Sequence, residues 1–183
     1  MKKILSITAL MIMTVISMAQ SLQKPEYVGQ IGLINADSTV TILKKEKATM
    51  GGKASALSYV PVPGASLFGK SKAVASLDGK TSETVIERNS FSMVLRGETN
   101  STDPNDFIGV VRLEVKKKKR ELEIGSMSAL GGVKTNVRQN TVAWEAHKYG
   151  DDCYLITFSD LEPGEYGITL GGDIMNISTF SVR

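Results

Sequence analysis

The sequence predicts an all-β protein: an antiparallel β-sandwich of the immunoglobulin-like type, with about eight or nine strands, preceded by a cleaved signal peptide. Short segments rich in β-branched and aromatic residues recur along the chain, as is typical of strands. Clusters of Gly, Asp, Asn, Ser and Pro separate these segments at short intervals. Beyond the N-terminal apolar segment, no stretch has the 3.6-residue periodicity of an amphipathic helix. Antiparallel sandwiches combine these features.

The N-terminus has the three parts of an export signal. A basic start, Met1–Lys3, precedes the predominantly apolar segment Ile4–Met18. Ser17 and Ala19 are the small residues that a signal peptidase reads, so cleavage is expected after Ala19. The apolar segment is shorter than the roughly 20 residues of a membrane span, and no cysteine follows Ala19 for lipid attachment. Residues 1–19 are therefore predicted to be a signal peptide. The mature protein is predicted to be exported, periplasmic or extracellular, with no transmembrane segment.

The composition indicates one domain of nearly balanced charge. Cleavage leaves 164 of the 183 residues, and we expect 20–183 to form a single β-sandwich domain. Loss of Lys2 and Lys3 leaves 20 basic residues against 19 acidic ones, so there is no general attraction for nucleic acid. Cys153 is the single cysteine, which excludes an internal disulfide. Its apolar neighbours favour a buried residue; a reactive thiol or an intermolecular bridge is the alternative.

The first half of the mature chain begins with a predicted hairpin. Ile31 and Leu33 alternate with small or polar residues, Asn35–Ser38 has turn composition, and Thr39–Leu43 is rich in β-branched residues. Residues near 48–66 are rich in Gly, Ala, Ser and Pro. We expect them to form a loop, with a weak edge strand inside it as the alternative.

The middle of the chain alternates strands and turns. Asp78–Gly79 separates the strand-like segments Ala73–Leu77 and Lys80–Glu87, a spacing that favours a type I′ hairpin. Two further predicted strands are Phe91–Arg96 and Phe107–Val115.

A dense basic run, Lys116–Arg120, follows and reads as the solvated tip of a hairpin. Contact with an acidic glycan, an envelope lipid or a partner is the alternative.

The last third contains a second Gly/Ser-rich connection near 126–140. Strands are then predicted to begin at Val142 and to cover Cys153–Phe158, Tyr166–Leu170 and Ile177–Val182.

One local pattern carries a resemblance. Leu161–Tyr166 (Leu-Glu-Pro-Gly-Glu-Tyr) resembles the tyrosine corner of immunoglobulin-like and fibronectin type III-like sandwiches. The resemblance implies that Leu161 packs inward, that Pro163 and Gly164 form the turn, and that the Tyr166 hydroxyl bonds back to the backbone upstream. Trp144, the only tryptophan, is predicted to be a core anchor, with an exposed binding platform as the alternative.

More broadly, the chain resembles a group of uncharacterised exported β-sandwich proteins of Bacteroidetes-type bacteria. The resemblance implies fold and location only, with no activity to carry over. It rests on short segments spread over most of the mature chain: Pro25–Gln30, Phe91–Arg96 with Asp103–Pro104, Arg120–Glu121, Leu161–Tyr166 and Phe180–Val182.

Several motifs resemble catalytic or ligand-binding signatures but lack the context that those signatures need. Gly64–Ser71 matches the phosphate-binding pattern G-x-x-x-x-G-K-[ST], but that loop needs a helix beginning at the lysine. His147 is the only histidine, so any Ser-His-Asp arrangement must use it, and no nucleophile signature surrounds it. Two groups, Asp103 with Asn105 and Asp106, and Asp151 with Asp152, lack a recognised calcium-loop spacing and read as turn residues; a weak Ca²⁺ site in either loop is the alternative.

The sequence therefore assigns no catalytic, cofactor-binding or metal-binding residue, and no cofactor. We expect an exported, non-enzymatic binding or structural module of the bacterial envelope, whose partner is an unknown protein or glycan. The alternative is a secreted hydrolase of polysaccharide or peptide. Its carboxylates would be brought together by the fold, since their separation in space is not encoded in sequence spacing.

Overall fold

The computed structural model describes residues 22–54, 70–128, 132–135 and 141–183. The predicted signal peptide lies outside the described residues, as do most of the predicted first loop and part of the second. The described residues form fourteen strands and one short helix, with these bounds: β1 Ile31–Ile34, β2 Val40–Ile42, β3 Lys45–Lys47, β4 Thr49–Ala54, β5 Lys70–Asp78, β6 Val85–Ile86, β7 Phe91–Arg96, α1 Pro104–Phe107, β8 Ile108–Lys116, β9 Lys119–Ser128, β10 Gly132–Thr135, β11 Glu145–Tyr149, β12 Cys153–Phe158, β13 Gly164–Leu170 and β14 Asn176–Val182.

A five-stranded antiparallel sheet has the order β11-β12-β7-β1-β2. The predicted opening hairpin is confirmed, because β1 pairs with β2 in register Leu33 with Thr41. Ser38 adopts a φ of 64° in the turn between them. The predicted strands Phe91–Arg96 and Cys153–Phe158 are neighbours in this sheet, with Met93 opposite Ile156.

A nine-stranded sheet has the order β3-β14-β13-β8-β9-β5-β4, with β10 paired to β9 and β6 paired in parallel to β14. Strands β8 and β9 pair with each other only next to their connecting turn, where Val115 lies opposite Arg120. Most of β8 pairs instead with β13, and most of β9 with β5. The sheet can therefore bend at the β8–β9 hairpin.

The first core lies between the two sheets and makes the architecture sandwich-like. The five-stranded sheet contributes Phe91 and Phe158, and the nine-stranded sheet contributes Tyr166 and Phe180. The Phe91 and Phe158 rings lie 4.9 Å apart, and the Tyr166 ring stacks on Phe180 at 5.4 Å. Aromatic pairs at this spacing add packing energy to the burial of apolar area. The all-β antiparallel prediction is thus confirmed.

A second core lies on the opposite face of β13 and β14. Ile177, Val111 and Leu113 pack there against Leu77 and other residues of β5 and β9. The bent sheet therefore covers its own outer face, and β14 is buried along nearly its whole length. A Cβ on Gly167 would meet Ile177 Cγ2 at 2.4 Å, so the glycine leaves room for the Ile177 side chain of the neighbouring strand β14. The sequence predicted a simple two-layer sandwich and missed this core.

Three predictions need correction: the number of strands, the extent of the two loops, and one hairpin. The described strands outnumber the eight or nine predicted. The loop predicted near 48–66 includes β4, and the one near 126–140 includes the end of β9 and all of β10. The Asp78–Gly79 hairpin is wrong, because β5 pairs with β4 and β9, whereas β6 joins β14. Gly79 has a φ of 83°, but Asp78 is not among the positive-φ residues, and a type I′ turn needs both.

The one helix among the described residues, α1, has four residues. None of the helices described is long and apolar enough to cross a membrane.

Candidate functional site

An open groove of about 680 Å³ lies where the ends of β8 and β13 meet the chain segment that follows β5. We call it the cationic groove. It is lined by Lys80, Thr81, Arg112, Leu113, Glu114, Val115, Lys116, Gly164, Glu165 and Arg183. Four of these residues are basic and two are acidic, so the lining carries a positive excess although the chain as a whole is nearly balanced.

The Arg112 side chain is held in a defined position at one wall. Its Nη2 donates a hydrogen bond to the Pro163 carbonyl at 3.0 Å, and its Nη1 to Glu162 Oε2 at 2.6 Å. The guanidinium carbon lies 5.9 Å from the centre of the Tyr166 ring, within range of a cation–π interaction. Arg112 also borders a second groove of about 370 Å³. The Arg112–Glu162 ion pair therefore lies between the cationic groove and this second groove.

The lysines of the groove differ in their partners. Lys116 pairs with Glu114, two residues earlier on the same face of β8, and the hydrogen bond from that pairing raises the pKa of the Lys116 ammonium. Lys80 is exposed and makes no ion pair with any residue that the structure describes. Its ammonium group is free to meet a ligand.

The floor of the groove contains Glu165, whose side chain is only 2% exposed. Its carboxylate accepts hydrogen bonds from the Ser82 amide at 2.8 Å, from Ser181 Oγ at 2.7 Å and from Arg183 Nη2 at 2.7 Å. Burial raises the pKa of Glu165, but the hydrogen bonds from Arg183, Ser181 and Ser82 outweigh it and hold that pKa below its ordinary value. Glu165 is therefore ionised at neutral pH, with both oxygens engaged.

Behind Glu165 lies Arg120, which is 1% exposed. Its guanidinium binds Glu46 through both terminal nitrogens, at 3.1 and 2.8 Å. It also donates to Ser82 Oγ at 2.7 Å and to the carbonyls of Asp78 and Gly79 at 2.8 and 3.2 Å. Ser82 joins the two halves of this buried polar network, because it also donates to Glu165 at 2.9 Å.

The prediction that Arg120 belongs to a solvated basic tip is wrong. Only Lys117 and Lys118 lie in the turn between β8 and β9, where Lys117 takes a φ of 56°. Arg120 is already in β9, two residues before the buried Leu122 and therefore on the same inward face. Charge composition alone could not separate the last residue of the run from the others. The regular alternation of the following strand was the one available signal.

The buried polar network is fully paired. Among the residues described, no buried side-chain nitrogen or oxygen lacks a hydrogen-bond partner. A network in this state supports rigidity.

The residues predicted at the corner border the groove. Tyr166 Oη donates to the Glu162 carbonyl at 2.6 Å, and Leu161 is buried in the first core. A Cβ on Gly164 would lie 3.3 Å from Arg112 Nε, so the glycine lets Arg112 approach the backbone. The carbonyl of Pro163 holds the same guanidinium. The sequence predicted a structural role for these residues and did not predict their contact with Arg112.

Trp144 is half-buried and packs against the margin of the first core. The centre of that core is instead the cluster of Phe91, Phe158, Phe180 and Tyr166. The segment from Val142 to Trp144 lies before β11 rather than within it. Its position outside a strand accounts for the partial exposure.

The reactive side chains that the sequence singled out lie on β11 and β12 and beside the ends of β12 and α1. His147 is exposed on β11. Cys153 is buried and unpaired, and burial, with a smaller contribution from its hydrogen bond to Asp152, raises the pKa of its thiol to about 11. Asp152 pairs with Lys24 at 2.7 Å, and Asp103 caps α1 through the Asn105 amide at 2.9 Å. In the described ranges, no group of His, Cys, Asp and Glu could hold a metal ion.

The phosphate-loop pattern does not have its required context. Its first six residues, 64–69, lie outside the described residues, but Lys70 and Ser71 begin strand β5 rather than a helix. A phosphate at this lysine would not meet a helix N-terminus.

No protein-family model and no curated protein matches this chain. The cationic groove is therefore interpreted from its own residues.

Proposed function

We propose that this protein is an exported, non-enzymatic binding module of the bacterial envelope, built on an immunoglobulin-like sandwich, and that it holds its ligand in the cationic groove. The observation that carries the proposal is the state of Glu165. Its carboxylate is buried, accepts hydrogen bonds at both oxygens and has a lowered pKa. A group in this state braces the floor of a groove and is not poised for proton transfer.

The competing hypothesis, a hydrolase, has less support from the same groove. Glycoside hydrolysis with two carboxylates needs one of them protonated near neutral pH, which in turn needs a raised pKa. Glu165 does not offer this, because its pKa is lowered, and the Glu114 carboxylate is held in an ion pair with Lys116.

Two features support the export and fold type within this proposal. The N-terminal sequence has a basic start, an apolar segment and a small-residue cleavage pattern. The Tyr166 hydroxyl bonds to the backbone four residues upstream, which is the interaction that fixes the corner in immunoglobulin-like sandwiches.

Export is tested by expressing the full chain in a bacterium and determining the N-terminus of the accumulated protein. A new N-terminus at Gln20 in the extracytoplasmic fraction is the expected result. An intact Met1 in the cytoplasmic fraction would contradict it.

Binding is tested by incubating the purified mature protein with fractionated envelope glycans and peptides, then recovering the retained material. We expect retained ligand of unchanged mass. Release of shorter fragments by the wild-type protein, and their loss in the exposed-site variant Glu114→Gln, would refute the non-enzymatic proposal in favour of the hydrolase. Absence of any retained material from either class of fraction would refute the binding module itself.

A further inference from the structure

We propose that the outer edge of strand β4 pairs with the β4 strand of a second copy of this chain, so that two copies form a closed antiparallel dimer. This edge is separate from the cationic groove, because none of the residues that line the groove belongs to β4. Strand β4 ends the nine-stranded sheet and pairs with β5 alone among the strands that the structure describes. Its outer side therefore presents main-chain donors and acceptors that another strand can bind.

The length and exposure of β4 distinguish it from other edges of the two sheets. All six of its residues, Thr49–Ala54, are exposed, and the strand contains no proline. The edge strands β2 and β3 have three residues each, and β11 carries Glu145 and Lys148. Short strands and charged side chains are common means by which proteins keep an edge from pairing with another chain. Strand β4 is the longest of these four edges.

The one charged side chain of β4 does not guard its outer edge. Lys53 forms an ion pair with Glu121, which belongs to β9, on the far side of β5. The lysine side chain therefore runs inward across the sheet and away from the outer edge. The other five residues of β4 are uncharged, so no charge opposes an approaching strand.

Two glycines at the centre of β4 make the strand compatible with its own copy. Residues directly opposite each other in an antiparallel pair lie on the same face of the sheet. A twofold axis between two identical strands must therefore pass between one residue and its own copy. At Gly51 or Gly52, this self-contact brings no side chains together. Lys53 then lies opposite Thr49 or Gly51 of the other copy, so like charges are not opposed.

The pairing also covers exposed apolar surface. Met50 is 47% exposed, and in the two registers it lies opposite Gly52 or Ala54 of the second copy. Both small residues leave room for the methionine side chain, whose burial is favourable. The main chains add about six hydrogen bonds. Because the contact is isologous, it uses the β4 edges of both copies and assembly ends at two.

The first experiment measures the oligomeric state of the mature chain by sedimentation velocity. A contact of this size lies at the low end of specific interfaces, so the concentration should span about 1 to 500 μM. We expect the average mass to rise toward that of a dimer, without larger species. A monomer over the whole range, or growth beyond a dimer, would overturn the proposal.

A double variant tests whether β4 is the contact. Gly51→Lys with Gly52→Lys opposes like charges at the axis in either register, and a Cβ at these positions meets its nearest neighbour only at 3.9 and 4.0 Å. Thr41→Lys with Ile42→Lys is the matched control, because it makes the same change of net charge at exposed residues of β2. We expect about tenfold weaker dimerisation for the first variant and less than about twofold for the control. An equal loss in both, or no loss in the β4 variant, would overturn the proposal.

Single cysteines then locate the axis. Opposite Cα atoms of an antiparallel pair lie about 4.5–5.5 Å apart, within the span of a disulfide. Under mild oxidation we expect a disulfide-linked dimer from Gly51→Cys or Gly52→Cys, whichever residue lies on the axis, and none from Thr41→Cys. The native Cys153 is buried and should not cross-link. A dimer that neither glycine variant can cross-link would overturn pairing through the centre of β4.

A different occupant of the same edge gives a distinct outcome. The probe is a synthetic peptide with the sequence of β4, and its binding is measured by calorimetry. If the protein stays monomeric but binds this peptide, the edge accepts an extended segment of another protein, and the second copy is overturned. If the protein dimerises, the peptide should compete with the second copy and lower the dimer fraction.

Discussion

Replacing Arg120 with methionine should destabilise the protein more than any change at its exposed arginines. The substitution keeps much of the side-chain volume but leaves the Glu46 carboxylate without its bidentate partner. It also removes the donors that satisfy Ser82 Oγ and the carbonyls of Asp78 and Gly79.

The size of the effect follows from the burial of this pair. If each hydrogen bond of the Arg120 guanidinium contributed about 1.5–3 kcal/mol, their sum would approach the whole stability of a domain. Contributions of neighbouring bonds are not additive, so this sum overstates the effect. The measured cost of removing one partner of a buried ion pair is about 3–5 kcal/mol. With a urea dependence of about 2 kcal/mol per molar, the unfolding midpoint should fall by about 1.5–2.5 M.

The assay is equilibrium unfolding in urea at pH 7, followed by Trp144 fluorescence. Arg88→Met is the matched control, because Arg88 is exposed and donates to one carbonyl, that of Ile34; its cost should stay below about 1 kcal/mol. The double variant with Glu46→Met removes the uncompensated charge and should recover part of the loss. A cost below about 1 kcal/mol for Arg120→Met, or no recovery in the double variant, would refute this account of the network.

Three further predictions concern single positions. Gly167→Ala should lower the free energy of unfolding by about 1–3 kcal/mol, because its Cβ would clash with Ile177, whereas Gly51→Ala on the exposed β4 should be neutral or stabilising by up to about 1 kcal/mol. The lowered pKa of Glu165 stabilises the fold above the ordinary glutamate pKa of about 4.3, and this stabilisation is lost as pH falls toward the folded-state value. The stability gap to Glu165→Gln should therefore be constant above about pH 6 and narrow in acid. Cys153, with its raised pKa, should react with thiol reagents at pH 8 only after unfolding.

Each of these three predictions has a result that would contradict it. Equal costs for the two glycine variants would contradict the close contact of Ile177 with Gly167 on the neighbouring strand. A stability gap that widens in acid would reverse the sign of the Glu165 pKa shift. Rapid labelling of Cys153 in the native protein, at the rate of an exposed thiol, would contradict its burial.

Two strands that the sequence predicted well are short apolar segments bounded by turn residues. Phe91–Arg96 and Cys153–Phe158 became β7 and β12 with the predicted bounds. Strand-forming composition and turn residues are local properties of the sequence, so they can be read without knowledge of distant contacts. The turn in the lysine run was also predictable from local sequence, because charged residues there separate two strand-like segments.

The candidate site was not predictable because its contacts join distant parts of the chain. Glu46 and Arg120 lie 74 residues apart, and Ser82 and Glu165 lie 83 apart. The Asp78–Gly79 prediction failed for the same reason: Arg120 binds both carbonyls of that pair and the chain then leads on to Ser82. A two-residue turn rule takes no account of such partners.

Residue order alone determined that strands would form and that most of them would pair in antiparallel fashion, because backbone pleating and turn chemistry act between neighbours. Only the folded chain decided that β8 and β9 diverge, that a second core forms behind β14 and that Arg112 reaches the surface where Glu162 meets it. Those outcomes depend on contacts between apolar faces and between charged groups that are far apart in the sequence. The local spacing of residues does not encode such contacts.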